Sequence, residues 1–215
     1  MIVVHHLENS RSQRILWLLE ELGIDYEVRR YARDPSTMLA PPEVANVHPL
    51  GKSPVIEDSE STTGSGEPRV IAETGAIVEY LVEMAEGRLG PPANRDAVLR
   101  YRHFLHYAEG SLMPPLFGLL VTSRLGLLGR PARGPILAMM AHHLDWLESE
   151  LAERAWFAGD EFTAADVMMS FPIEVSRSRA GLGEERPNLL DWLERIHARP
   201  AYDAALQKGG AYAYA

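Results

Sequence analysis

Two dipeptides stand out by residue type and place. In the stretch NVHPLGKSPVIED, Ser53-Pro54 opens what reads as a strand, where a proline removes a backbone donor. An X-Pro bond can be cis, and a cis bond here turns the Ser53 backbone outward, leaving its N–H and C=O for an extended peptide. About twenty residues on, Glu73-Thr74 ends a strand and opens a helix. Thr74 there can cap the helix while the first-turn N–H groups face an anion, an arrangement that suits a carboxylate. Each motif also has a plain structural reading, the first as a turn and the second as a helix start.

Other chemistries are poorly served. The chain has no cysteine, which excludes disulfides, thiolate metal sites and any reactive sulfur supplied by the protein. His103 and His106 lie three apart on a helical pattern, with His142-His143 elsewhere. No acidic or thiolate partners stand at metal-ligand spacing, so no metal is expected. The formal charge of −9 argues against a phosphate-tracking nucleic-acid surface. No run approaches the length of a membrane span, and MIVVHHLENSR lacks the pattern of a signal peptide. The expectation is a soluble, cytoplasmic protein with no membrane partner.

The elements that must position these motifs are legible in the hydrophobic pattern. IVVHH reads as a strand, RILWLLEELG as a helix closed by Gly23, and YEVRRY (residues 26–31) as a second strand. DPSTMLAPPEVANVHPLGK follows as an irregular loop with room for one helical turn. SPVIED and PRVIAE make two strands around the polar connection SESTTGSGE, and TGAIVEYLVEMAEG has helix spacing. Residues 94–120, 132–154, 163–179 and 187–198 then carry apolar residues at three- and four-residue spacing. The fold class is α+β: a β-α-β-loop-β-β-α domain over 1–85, a Gly/Pro linker at 86–95, and an all-helical domain over 96–215. Thr163 and Asp166 read as a capping box, with Asp166 stabilising the fold and doing no chemistry. The four tryptophans read as core or domain-interface residues.

This element order, with HPLGKSPVIE, AETGAIVEYL and a helical C-terminal half, resembles the glutathione transferase superfamily with its thioredoxin-like first domain. HHLENSRSQRILWLLEELGIDYE, APPE, HPLGKSP and YAEGSLMPPL most resemble the fungal and bacterial enzymes related to the first yeast glutathione transferase. The resemblance implies glutathione as co-substrate. The Ser53 backbone would pair with its cysteinyl part beside Pro54. Glu73 would hold the γ-glutamyl ammonium, and Thr74 with the helix N-terminus its carboxylate. Lys52 and His48 would face the glycyl carboxylate.

A donor near the first helix would stabilise the thiolate, and the loop Leu7-Glu8-Asn9-Ser10-Arg11-Ser12 supplies the choices. Ser10 is preferred, then Asn9, then Ser12, which also sits where an N-cap belongs. His103, Tyr107 and Ser111 either line the pocket for a hydrophobic electrophile or simply pack their helix. The resemblance further implies a homodimer that conjugates glutathione or reduces organic peroxides. The alternative is a non-catalytic binding or regulatory protein of the same fold.

Overall fold

A computed structural model describes residues 1–215. The chain divides into two compact units, residues 1–90 with 198–213, and residues 91–197 with 214–215.

The first unit is built on a sheet of β1 (Ile2–Leu7), β2 (Tyr26–Tyr31), β3 (Val55–Thr62) and β4 (Pro68–Ala72), in the order β2-β1-β3-β4. β1 runs parallel to β2 and antiparallel to β3, and β3 is antiparallel to β4. The parallel pair needs a crossover, supplied by α1 (Gln13–Leu22). Gly23 ends α1 in the left-handed region at φ 61°, and its N–H bonds back to Glu20 O. Between β2 and β3 lies one short helix, α2 (Glu43–Val47), and after β4 comes α3 (Thr74–Met84). The core is Ile2, Val4, Ile15, Leu16, Leu18, Leu19, Val55, Ile56, Ile77, Val78 and Leu81, all at most 1 % exposed.

Residues 198–213 join this unit, whereas the sequence expectation ran the helical domain on to residue 215. They contain α9 (Pro200–Gly209), which packs on α1. Trp17 meets Tyr202 edge to face with centroids 5.2 Å apart, and Arg199 makes a two-armed ion pair to Glu21 through Nε at 2.5 Å and Nη2 at 2.8 Å. The apolar face of α1 is therefore completed by a segment some 180 residues away, which no local pattern reveals.

The second unit is helical: α4 (Arg95–Tyr107), α5 (Met113–Arg124), α6 (Arg130–Glu153), α7 (Ala164–Arg179) and α8 (Pro187–His197). The single helix expected over 94–120 is broken by a π-helical turn at residues 108–112. Pro114 and Pro115 follow it and lack the N–H groups that would bond back into that turn, so the backbone widens there. Phe104, Trp146, Phe157 and Trp192 form an aromatic core. Asp166, fully buried, accepts from Thr163 N–H at 3.0 Å, Phe157 N–H at 3.0 Å and Trp192 Nε1–H at 3.2 Å. Burial pushes its carboxyl up to about 6, against the pull of those donors. No helix is long and apolar enough to cross a membrane.

Candidate functional site

Strand register brings the separate motifs of the first unit to one end of the sheet. His5 pairs with Val55 and Val55 pairs with Ala72, so these three residues make a row across β1, β3 and β4. Because β3 runs against both neighbours, the chain beyond this row is the loop after β1, the residues before β3 and the residues after β4. Those are Glu8–Ser12, Ser53-Pro54 and Glu73-Thr74.

The Ser53-Pro54 bond is cis, and the Ser53 hydroxyl donates to the His5 carbonyl at 2.8 Å, tying this edge to β1. Pro54 is buried and Ser53 half-buried. The preceding residues form a tight turn: the Gly51 N–H donates to His48 O at 2.9 Å, with Gly51 at φ 56°. His48 is half-buried in this turn and Lys52 exposed just after it.

Glu73 caps α3 with φ 71° and ψ 124°, a backbone region costly for a residue with a Cβ. Its carbonyl accepts from Ile77 N–H at 2.9 Å, starting the helix, and its carboxylate is exposed. Thr74 is buried at the first helical position. The N–H groups of Thr74, Gly75 and Ala76 lie ahead of that first intrahelical bond, which gives the helix start its affinity for anions.

The loop after β1 separates the three thiolate candidates. Asn9 has φ 49°, its carbonyl accepts from Arg33 Nη2 at 3.1 Å, and its side-chain Oδ1 accepts from Ala213 N–H at 2.7 Å. Ser12 is wholly buried: its Oγ accepts from Leu7 N–H at 3.2 Å and lies 2.9 Å from His6 Nδ1. Its side chain makes no cap bond to α1. Ser10 lies between them, its Oγ 2.7 Å from Ser12 Oγ and accepting from Ser12 N–H at 3.2 Å.

Two further residues shape this loop that the sequence did not single out. Arg33 donates to the Glu8 and Asn9 carbonyls at 3.1 Å and, through Nη1, to Met38 O at 2.9 Å. His6 stands behind Ser12. The dihistidine His5-His6 was its one visible signal, hidden by a strand that otherwise reads as uniformly apolar.

In the second unit the structure brings His103 and Tyr107 together but sets Ser111 apart. The His103 and Tyr107 rings stack with centroids 5.4 Å apart, and both meet Trp146 edge to face. Tyr107 Oη lies 2.5 Å from His143 Nδ1, and burial raises its pKa. Ser111 is exposed on the π-helical turn. Leu99, Arg100, His103, Phe104 and Trp146 line a cavity of about 300 Å³. No group of three or more His, Asp or Glu side chains is placed to hold a metal ion.

Comparisons with known proteins show the family and the fold. Residues 10–84 match the family model of the glutathione S-transferase N-terminal domain, and residues 105–195 that of the C-terminal domain. Glutathione S-transferase 1 of Saccharomyces cerevisiae is 31% identical, covering 98% of this chain and 96% of its own. A glutathione S-transferase structure from Actinobacillus pleuropneumoniae superposes with a TM-score of 0.84 at 33% identity, covering 99% of this chain and 94% of its own. A glutathione transferase family member from Pseudomonas fluorescens, described with two glutathione bound, has the same fold, with a TM-score of 0.81 at 24% identity over 95% of this chain and 92% of its own. The chain belongs to the glutathione transferase family.

Proposed function

We propose that this protein is a glutathione-conjugating enzyme, acting as a cytoplasmic homodimer, that binds glutathione at the sheet end of its first unit. The observation that carries this reading is the convergence of the Ser10 loop, the Ser53-Pro54 edge and the Glu73-Thr74 helix start beyond the His5–Val55–Ala72 row. An extended tripeptide with a carboxylate at each end and a thiol in the middle matches that spacing of charge and backbone groups.

In this reading the Ser53 N–H and C=O pair with the cysteinyl backbone. The Glu73 carboxylate takes the γ-glutamyl ammonium, and the α3 N-terminus with Thr74 takes the adjacent carboxylate. Lys52 and His48 take the glycyl carboxylate. Ser10 donates to the sulfur, with Asn9 and Ser12 supporting the loop. The thiolate then attacks an electrophilic carbon, a C–S bond forms, and the leaving group departs with its electron pair.

The electrophile is apolar. His103 and Tyr107, with Ser111 on the following turn, supply aromatic and hydroxyl groups for it, and His103 borders a cavity large enough for a small aromatic ring. Reduction of an organic peroxide by the same thiolate is a side activity. With no cysteine in the chain, turnover through a protein–glutathione mixed disulfide has no sulfur to use.

The test is conjugation of glutathione to a dinitro-activated aryl chloride, followed by thioether absorbance. Saturable turnover that Ser10→Ala lowers tenfold or more supports the reading. A protein that binds glutathione without turning over any of a panel of aryl halides, epoxides and peroxides belongs to the non-catalytic class instead.

A further inference from the structure

His6 alternates with His5 along β1, and its contact with Ser12 places it behind the loop that carries Ser10. Three polar side chains then run inward in a line. Ser10 Oγ is 2.7 Å from Ser12 Oγ, which is 2.9 Å from His6 Nδ1. At its far edge the His6 ring meets the backbone of Gly209 in α9, in a hydrogen bond that favours the protonated ring, so a carbonyl accepts there. A Cβ at that position would lie 2.5 Å from Gln13 Oε1 and 3.4 Å from His6 Nε2.

Each hydroxyl has one proton, and counting protons fixes the direction of the chain. With the Gly209 backbone at the Nε2 edge, the neutral tautomer that fits carries its proton on Nε2 and leaves Nδ1 a bare lone pair. The proton between it and Ser12 is therefore Ser12's own, and the one between the serines belongs to Ser10. Ser12 Oγ then accepts from Leu7 N–H and Ser10, and its one proton goes to His6 Nδ1 at 2.9 Å in preference to the Leu7 carbonyl, the longer contact at 3.3 Å. Ser10 accepts from Ser12 N–H and keeps one lone pair for an incoming S–H. Ser10 donates to a thiolate either by turning its own proton away from Ser12, which breaks that bond, or by a reversal of both hydroxyls in which Nδ1 gains a proton.

We propose that Ser10, Ser12 and His6 form a proton relay that draws the thiol proton of bound glutathione into the protein, with His6 as its terminal acceptor. This rests on the glutathione reading above and deepens it; Ser12 and His6 are positioning residues acting through Ser10. The S–H bond breaks as its proton passes to Ser10 Oγ. Ser10's former proton moves to Ser12 Oγ, and Ser12's to His6 Nδ1. Sulfur keeps the electron pair, the imidazole becomes a cation, and net charge is conserved.

The groups facing His6 fit an acceptor that is idle until the thiolate forms. Burial and Arg30 of β2 hold its pKa down to about 4, while the Gly209 carbonyl of α9 opposes them. Arg30 is itself hydrogen-bonded to the Lys208 carbonyl. Ser12, just before α1, meets Nδ1, and the neutral Gln13 carboxamide of α1 lies against Gly209. No anion faces the resting ring among these groups, and a thiolate two hydroxyls away supplies one, raising its proton affinity.

The test is a proton inventory on the full-length protein at pH 7. Bound thiolate is measured by its ultraviolet absorbance, and protons released on glutathione binding by an indicator dye in weak buffer. S-methylglutathione serves as the reference that subtracts every other group of the tripeptide. The expected result is fewer protons released than thiolates formed in wild type. His6→Gln restores parity and raises the thiol pKa, whereas a merely structural histidine would leave the ratio unchanged. Parity in wild type overturns the relay while leaving the glutathione site intact, and this arm does not depend on any variant folding. Absence of glutathione binding overturns both.

Discussion

The side-chain oxygen of Asn9 accepts a hydrogen bond from the Ala213 backbone N–H at 2.7 Å. The oxygen of that amide is thereby held by the C-terminal segment of its own unit, which leaves its Nδ2–H groups as the donors it can offer, while Ser10 Oγ beside it is engaged with Ser12 at 2.7 Å. On the proposed reading Ser10 donates to the sulfur, and Asn9 anchors the tail.

Ser10→Ala is therefore expected to move the bound thiol back toward its free pKa of about 8.5 and to lower kcat/KM at neutral pH by roughly 10- to 100-fold, one to two pKa units of lost stabilisation. Asn9→Ala is expected to cost less than about threefold, since it loses an exposed anchor of the tail. Steady-state rates and thiolate absorbance against pH check both. A larger loss at Asn9 than at Ser10 would reverse the assignment.

His6 sets a pH dependence of stability. Its folded pKa of about 4 lies below the ordinary value of 6.5, so the unfolded chain binds the proton more tightly. The stability this contributes is fully present above pH 6.5 and is lost as pH falls through the window down to about 4. Between pH 7 and pH 5 the loss is about 2 kcal/mol, in wild type relative to His6→Gln. Urea unfolding at the two pH values measures it, and parallel pH slopes for the two proteins would count against the buried neutral ring.

Asp166 is expected to matter for folding alone. Asp166→Ala strands the Thr163 and Phe157 N–H groups and the Trp192 indole, at a combined cost of about 3 to 5 kcal/mol. Asp166→Asn keeps the carbonyl acceptor and costs less. Denaturant midpoints should order wild type, Asn, Ala, with glutathione affinity of the folded fraction unchanged. Lost glutathione affinity in a fully folded Asn variant would contradict a purely structural role.

What the sequence made legible was local. Gly23 closes its helix as the Gly-after-periodicity signal implied, and Asp166 stands three residues after Thr163 as a capping box requires. Ser53-Pro54 and Glu73-Thr74 were visible because strand and helix ends have short, specific codes. Hidden were the contacts made at long range. α9 begins with Pro200 at its first turn, but its buried positions are Tyr202, Ala205 and Gly209, too weakly apolar to announce a helix. Its role in meeting Trp17 and His6 depends on packing over nearly the full chain length. The Ser10–Ser12–His6 line combines one strand face with one loop turn, and no spacing rule links the two. Arg33, reaching back to Glu8 and Asn9 across about 25 residues, is hidden for the same reason.

The central claim is a glutathione site with Glu73 at its γ-glutamyl end. Titration calorimetry of glutathione into wild type and Glu73→Ala, run in parallel, tests it most directly. The account predicts micromolar-to-millimolar binding by wild type and a loss of tenfold or more in the variant, of the size expected for one charge-assisted contact. Wild-type protein that binds no glutathione, or a variant that binds as tightly as wild type, would contradict it.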